Sequence, residues 1–404
     1  MRQLFQMNEM PWLVWVYPAN INNTFNAAPR LEVTKEMRNL GWKVDLIASG
    51  PDGKHMIEGV EVLCFASPDF YFIRQLFFHL RIIPYILRNW KRIDTVLFVQ
   101  ISAPWLIPLR LLGAFSKNHP LFVMDTRTVP MESTGKSTFK DKLRGRFYFL
   151  MNSLANTLAD GETAITQRMA DLLHIPPQKL WGTWASGVNI EKFSPAVQNR
   201  RWPEADNTVQ LIYIGMLTYE RNLMTFCHAV MEANRLGMNF SFLLYGDGSE
   251  RQQLQAFADQ THGTIKVLEA VPHDQVPEVL GRAHIGVLPF PDEEKFRVSS
   301  PIKLFEYMGS GLPILATKIV CHTNVIESGG YVFWADNSNV DGLLKALENA
   351  WQERSALPCM SQKARVAAQD WTYIASAKRL QNALQYGLSI HRLGTGRIRT
   401  HPVM

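Results

Sequence analysis

The sequence predicts an α/β protein built from two doubly wound domains that face each other across a cleft. Three observations carry that prediction. Apolar strand-like runs alternate with amphipathic helical stretches along the chain, the pattern of a parallel sheet covered by helices. The alternation occurs as two successive series, separated by the polar, proline-containing stretch Ser194–Thr208. The 404 residues, 47% hydrophobic and 19% charged, suffice for two full cores.

In the first series, Leu13–Tyr17, Val44–Ala48, Val60–Cys64, Thr95–Gln100 and Leu121–Asp125 read as strands. Helical periodicity fills Leu31–Leu40 and Ile73–Trp90, and Gly41 reads as a helix stop. The apolar stretch Trp12–Tyr17 ends at Pro18, too short for the core of a signal peptide, and reads as the first strand. Leu76–Leu87 and Ile101–Phe115 are interrupted by Arg81, Arg110 and prolines, so neither supplies the roughly 20 clean apolar residues of a membrane span.

The second series places strands at Val209–Ile214, Phe240–Tyr245, Ile265–Leu268, Ile285–Leu288, Pro313–Ala316 and Tyr331–Trp334. Helices fall at about Leu223–Leu236, Ser249–Gln260, Gln275–Arg282 and Ile302–Met308. The expected domains are residues 1–200 and 201–375, followed by a C-terminal helix and tail, 376–404, returning to the first domain.

Composition excludes several classes. Cys64, Cys227, Cys321 and Cys359 lie far apart without a C-x-x-C pair, which argues against a zinc cluster or disulfide scaffold and fits a reducing compartment. No H-E-x-x-H and no D-x-D occurs, so no built-in metal site is expected. The chain is expected to be soluble or peripheral. Residues 1–204 hold 24 Lys+Arg against 17 Asp+Glu, a balance of +7 within the overall +6. A basic first half fits an anionic partner or mere solubility charge. Lys136, Lys140, Lys142, Arg144 and Arg146 precede an apolar helical stretch, and Arg74, Arg81, Arg88, Lys91 and Arg92 stud the helix around Phe77–Tyr85. That arrangement suits an anionic bilayer surface.

Four segments carry candidate chemistry. Ser133-Thr134-Gly135-Lys136-Ser137 ends like a phosphate-binding P-loop, but Pro130 stands where the loop needs glycine, so a basic surface loop is expected. Val209–Ile214 ends at Gly215, where a ligand could approach the backbone closely, and Arg221 falls at the start of the next helix. Either a diphosphate contact or a surface arginine beside a turn fits that position. Gly246-Asp247-Gly248-Ser249 forms a second open loop after a strand, with Ser249 available to cap the following helix.

The most specific segment runs from Ser299 and Ser300 through Pro301, Ile302, Lys303, Leu304 and Glu306 to Pro313. Pro301 suits the first turn of a helix, and Lys303 and Glu306, three apart, share a face. The spacing allows either a surface ion pair or an ammonium on phosphate with a carboxylate on ribose hydroxyls.

This segment resembles the donor motif of the family-four (group 1) retaining glycosyltransferases, in the variant S-x-P-x-K-L-x-E-Y-x-x-x-G-x-P. The resemblance spans about residues 10 to 385 and implies the GT-B fold, with two Rossmann-like domains. It implies that Glu306 holds the donor ribose, while Ser299 replaces the first of the family's two glutamates. Gly215, Leu217 and Arg221 are similar to the family's glycine-to-basic segment, with Met216 in place of a second basic residue. Gly246 and Gly248 match its glycine turn, and Ala270-Val271-Pro272 falls where backbone groups read the nucleobase. Gly187-Val188-Asn189, Phe193 and Pro195 resemble the segment closing the first domain, and Trp371 begins a segment similar to the one that crosses back. In the first half, Asn20–Ala28 lacks the family's glycines. Asp125-Thr126-Arg127 stands where a histidine is common, so Asp125 and Arg127 are either acceptor-side catalytic groups or a structural ion pair.

The resemblance implies a metal-independent retaining glycosyltransferase without a cofactor. Its donor would be a nucleotide-sugar, uridine-linked by analogy with guanosine as the other choice, and its acceptor a glycan or lipid-linked molecule, with no role for nucleic acid. The implied location is the cytoplasm, peripheral to the inner membrane face. Two alternatives stay open: a GT-B nucleotide-sugar epimerase, and an inactive donor-binding subunit.

Overall fold

A computed structural model describes residues 10–21, 27–68, 71–113, 115–116, 119–129, 139–204, 207–326 and 329–394. The described chain forms two compact units, one drawn from residues up to Ala185 and from Tyr373 onward, the other from Ser186–Thr372. The P-loop-like segment from Pro130 to Ser137 lies outside the described residues.

The first unit holds an eight-stranded sheet. Its strands are β1 (Trp12–Asn20), β2 (Lys43–Ser49), β3 (Gly53–Ile57), β4 (Val60–Phe65), β5 (Thr95–Phe98), β6 (Leu121–Thr126), β7 (Gly161–Ala164) and β8 (Leu180–Thr183). They lie in the order β3-β4-β2-β1-β5-β6-β7-β8. All neighbours are parallel except the β3–β4 hairpin. Side chains alternate across the pleat, so β1 feeds two cores. Leu13, Trp15 and Tyr17 join the helices Ala27–Asn39 and Tyr373–Gly394 on one face. Trp12, Val14 and Val16 join the helices Tyr71–Arg88, Ala103–Gly113 and Phe139–Leu158 on the other.

The second unit holds six parallel strands: β9 (Val209–Ile214), β10 (Phe240–Tyr245), β11 (Ile265–Leu268), β12 (Ile285–Leu288), β13 (Ile314–Thr317) and β14 (Val332–Ala335). Their order is β11-β10-β9-β12-β13-β14. The chain therefore winds one way from β9 through β10 to β11 and the other way from β12 to β14. The switch point lies between β9 and β12, and ligands of such sheets bind outside the carboxyl ends of the strands there.

Several expectations need adjusting. The polar stretch from Ser194 begins inside a helix, Ile190–Gln198, because Asn189 caps it by accepting from the Lys192 amide at 3.2 Å. Ser249 lies in a turn and caps nothing: the helix starts at Arg251, with Glu250 at its cap position and no side-chain cap. Arg221 closes a short 3-10 turn, Tyr219–Arg221, and the helix begins only at Leu223, after Asn222 in the left-handed region at φ 59°. Among the described residues, no helix is long and apolar enough to cross a membrane.

Candidate functional site

The site is built where β9 and β10 end. Both strands stop at glycines whose backbone no other residue could match. Gly246 has φ +150° and Gly248 φ +158°, and a Cβ on either would overlap the Gly215 or Leu217 carbonyl oxygen respectively. The two loops are tied by the Leu217 amide donating to the Asp247 carbonyl and the Glu250 amide donating to the Leu217 carbonyl, each at 2.9 Å. Arg251 braces the second loop, donating to the carbonyls of Gly246 at 2.5 Å and Leu268 at 3.0 Å. Gly215 has φ +144°, and its open side is filled by Lys303, whose Cε and Nζ occupy the space a Cβ would take.

Lys303 comes from the helix Ile302–Gly309, between β12 and β13. Pro301 stands extended in front of it, at φ −71° and ψ 112°, and no side chain caps the first amides of the helix. The helix is held inward by Leu304, Phe305, Tyr307 and Met308. Gly286 of β12 admits the Tyr307 ring, since a Cβ there would meet Tyr307 Cδ2 at 2.5 Å. Burial lowers the Lys303 pKa to about 8, with the Arg221 charge acting in the same direction and Glu306 opposing. Arg221 is therefore close enough to be felt by Lys303. Its guanidinium lies over the rings of Phe290 and Phe296, 4.9 and 5.3 Å from their centroids.

Glu306, one turn after Lys303, is 7% exposed. Its Oε1 lies 3.2 Å from His273 Nε2, and His273 Nδ1 lies 3.0 Å from Lys192 Nζ. An ammonium only donates, so Nδ1 accepts and the ring proton sits on Nε2, aimed at Glu306. Burial alone would raise the Glu306 carboxyl. The hydrogen bond from His273 and the charges of Lys303 and Lys192 outweigh it and hold the pKa below the ordinary value. Glu306 is thus a held carboxylate. His273 and Lys192 were not expected from the sequence: they lie 33 and 114 residues from Glu306, a fold-made relation that no local spacing encodes.

The other expected donor residues divide. Ser300 accepts from the Ser186 amide at 3.1 Å, and Ser299 donates to the Phe296 carbonyl at 2.8 Å. Asp247 is exposed and accepts from the Gly248 amide at 2.8 Å. Val271 is half-buried against the core, two residues before His273. Ile302 begins the helix and is half-buried. The Leu304 side chain is fully buried in the core, so its backbone is what remains for a ligand.

In the first unit, Asp125 and Arg127 sit at the carboxyl end of β6. Asp125 is fully buried, and its Oδ1 accepts from Thr163 Oγ1 at 2.7 Å and Trp184 Nε1 at 3.0 Å. Arg127 donates to the Trp184 carbonyl at 3.0 Å and stacks 3.4 Å from the Trp184 ring centroid. Burial raises the Asp125 pKa against the Arg127 charge and lowers Arg127 to about 10. Both groups hold Trp184, while Asp125 Oδ2 and Arg127 Nη2 are buried without a hydrogen-bond partner among the described residues. Among the described residues, no three His, Cys, Asp or Glu side chains form a group that could hold a metal ion.

Residues 208–353 match the family profile described as glycosyl transferases group 1. No curated protein sequence matches the chain significantly. Solved structures similar to it include sucrose-phosphate synthase from Thermosynechococcus elongatus, with TM-score 0.72 and 13% identity over 96% of this chain and 100% of that one. The catalytic domain of starch synthase IV from Arabidopsis thaliana, bound to ADP and acarbose, gives TM-score 0.71 and 13% identity over 94% and 99%. HepE from Anabaena, in complex with UDP-glucose, gives TM-score 0.64 and 14% identity over 93% and 100%. The chain therefore has the GT-B fold, and residues 208–353 of its second unit are similar to the glycosyl transferases group 1 profile.

Proposed function

We propose that this glycosyltransferase binds a nucleotide-sugar in its second unit and transfers the sugar, with retention, to a glycan or lipid-linked acceptor. The observation that carries the reading is Lys303 lying against Gly215 at the switch point, with held Glu306 one turn further on. Lys303, Arg221 and the uncapped amides at Ile302 and Lys303 meet the diphosphate, and Glu306 takes the ribose hydroxyls through Oε2. The loop around Val271 borders the nucleobase.

In the reaction the bond between the anomeric carbon and the β-phosphate oxygen breaks, and the acceptor oxygen bonds to the same face of that carbon. The departing phosphate oxygen accepts the acceptor proton. Lys303, Arg221 and the helix start stabilise the charge that grows on the diphosphate. Glu306 positions the donor and takes no proton. The charge is met without a metal. HepE is similar in fold and binds UDP-glucose, which supports a uridine donor, while starch synthase IV, bound to ADP, adds adenosine as an alternative beside guanosine.

The test is thermal-shift screening of nucleotide-sugars followed by turnover in excess chelator. A ligand at one hundred times its Kd raises apparent stability by about 2.7 kcal/mol. A uridine sugar should stabilise the protein, and transfer should persist in chelator. No shift with any nucleotide-sugar refutes the site. Epimerised donor in the absence of acceptor identifies an epimerase, and donor binding without turnover on any acceptor identifies a binding subunit. Activity lost in chelator and restored by magnesium refutes the metal-free mechanism.

A further inference from the structure

The helix Tyr71–Arg88 has two apolar faces. Phe78, Ile82 and Ile86 pack into the core below the sheet. On the opposite side Ile73, Leu76, Phe77, Leu80 and Leu87 are exposed, with Phe77 48% and Leu80 54% accessible. Leu76, Phe77, Leu80 and Leu87 lie three, four, seven and fourteen residues after Ile73, which makes one continuous stripe on a helix. Arg74, Arg81 and Arg88, each seven apart, run beside that stripe, and Lys91 and Arg92 extend it as exposed cations past the helix end. The two other helices of the same layer repeat the feature: Leu111 and Leu112 are exposed on one, and Leu143, Phe147 and Leu150, spaced four and three, on the other, next to exposed Arg146. A soluble surface seldom groups this many large apolar side chains.

Behind the stripe lies a groove of about 660 Å³ whose lining includes Leu80 and Arg88. Five cations line it, Arg38, Lys43, Lys54, Arg81 and Arg88, against two carboxylates, Asp45 and Glu61. Lys54 is paired with Glu61 at 2.9 Å and Arg81 with Asp52 at 2.5 Å. Tyr85 and Trp12 both donate to Asp45, at 2.6 and 2.7 Å. Arg88 therefore stands beside apolar residues with a net positive groove at its back.

We propose that this helix layer seats on an anionic lipid bilayer. Ile73, Phe77, Leu80 and Leu87 enter the boundary between headgroups and acyl chains, and Arg88, Lys91 and Arg92 take lipid phosphates at the rim. Charge favours this occupant: a second copy of this basic chain would set like charges against the row of cations beside the apolar stripe, whereas an anionic lipid surface is attracted by each. The inference concerns the first unit alone and stands whether or not the second binds a nucleotide-sugar.

The experiment is sedimentation with vesicles of phosphatidylcholine alone and of equal parts phosphatidylcholine and phosphatidylglycerol, at low and high salt. The protein should bind the anionic vesicles only, with binding weakened by salt. Arg88→Gln should weaken the partition coefficient about fivefold, and Phe77→Ser with Leu80→Ser should abolish binding. Tyr386→Ser with Ile390→Ser, exposed on another helix, should change nothing. Unchanged melting temperature shows that each variant is folded. Equal binding to both vesicles, or none to the anionic ones at low salt, overturns the proposal. A dimer in light scattering that Phe77→Ser dissociates, without vesicle binding, overturns it in favour of a second copy.

Discussion

The side chain of Lys303 occupies the space that a Cβ on Gly215 would need, so the identity of one residue depends on the position of the other, 88 residues along the chain. The strand end and the helix start thus meet through the Lys303 side chain, in addition to the apolar packing of the helix on the sheet. Gly215→Ala should expel Lys303 as well as strain a backbone at φ +144°. The expected result is a stability loss on the order of 1–3 kcal/mol together with weaker binding of nucleoside diphosphate. Gly237→Ala, at φ +91° with open space around it, should reproduce the strain while sparing the binding. Calorimetric titration of both variants separates the two effects, and equal affinities would show that the Lys303 position is immaterial.

Lys303→Ala and Glu306→Ala should fail differently. In the proposed site Lys303 addresses phosphate, so its loss should weaken nucleoside diphosphate far more than nucleoside. Glu306 is proposed to address ribose, so its loss should weaken both alike, by roughly 1.5–3 kcal/mol, or about tenfold to a hundredfold in Kd. Affinity for the diphosphate should also decline as pH rises through about 8, where Lys303 loses its proton. Affinity unchanged in Glu306→Ala, with the fold intact, would remove the residue on which the donor site rests.

His273 should act through Glu306. Its hydrogen bond is one of the influences keeping that carboxyl ionised. Glu306 has a depressed pKa, so its ionised, ribose-binding form is present above that pKa and lost as pH falls through it. His273→Ala raises the pKa, and the acid limb of nucleoside binding should move to higher pH, while affinity at alkaline pH changes little. His273→Gln, whose amide can donate to Glu306, should restore part of the shift. A limb that does not move in His273→Ala would show that the histidine only fills space.

How much of this was legible in the sequence follows from where the signals are local. All six strands of the second unit were placed to within a residue: β12 and β13 are apolar runs buried throughout, as central parallel strands demand, and even the edge strands β11 and β14 bury alternate residues. In the first unit β3, β7 and β8 escaped. Lys54 and Met56 of β3 are exposed on an edge hairpin, and Gly-Glu-Thr-Ala of β7 has no apolar run at all although every residue is buried. The placement of Gly215 at a strand end and of Lys303 and Glu306 on one helix was legible because both have local signatures, while their spacing left a surface ion pair as open as a donor contact. Lys192 and His273 were not, since only the folded chain joins them. Asp125 and Arg127 were readable as polar residues ending a strand, but their hold on Trp184, almost 60 residues later, was not.

Glu162 of β7 gives the last prediction, and it concerns stability. The side chain is fully buried, and neither carboxyl oxygen has a hydrogen-bond partner among the described residues. Burial raises its pKa to about 8 from an ordinary 4.5, and the charge of Lys179 opposes this only in part. The folded state therefore retains a proton that the unfolded chain has released above pH 4.5. Where the native state binds more protons, stability falls as pH rises, so this group destabilises the fold progressively from about pH 4.5 to 8 and stays at its full cost above. Glu162→Gln keeps the shape of the acid and stays neutral throughout. It should leave the melting temperature nearly unchanged at pH 4.5 and raise stability by on the order of 1–3 kcal/mol at pH 8 and above. Denaturant unfolding of both proteins across that range measures the difference. A gap that stays constant with pH would mean that Glu162 is ionised in the folded protein and that Lys179 compensates its charge.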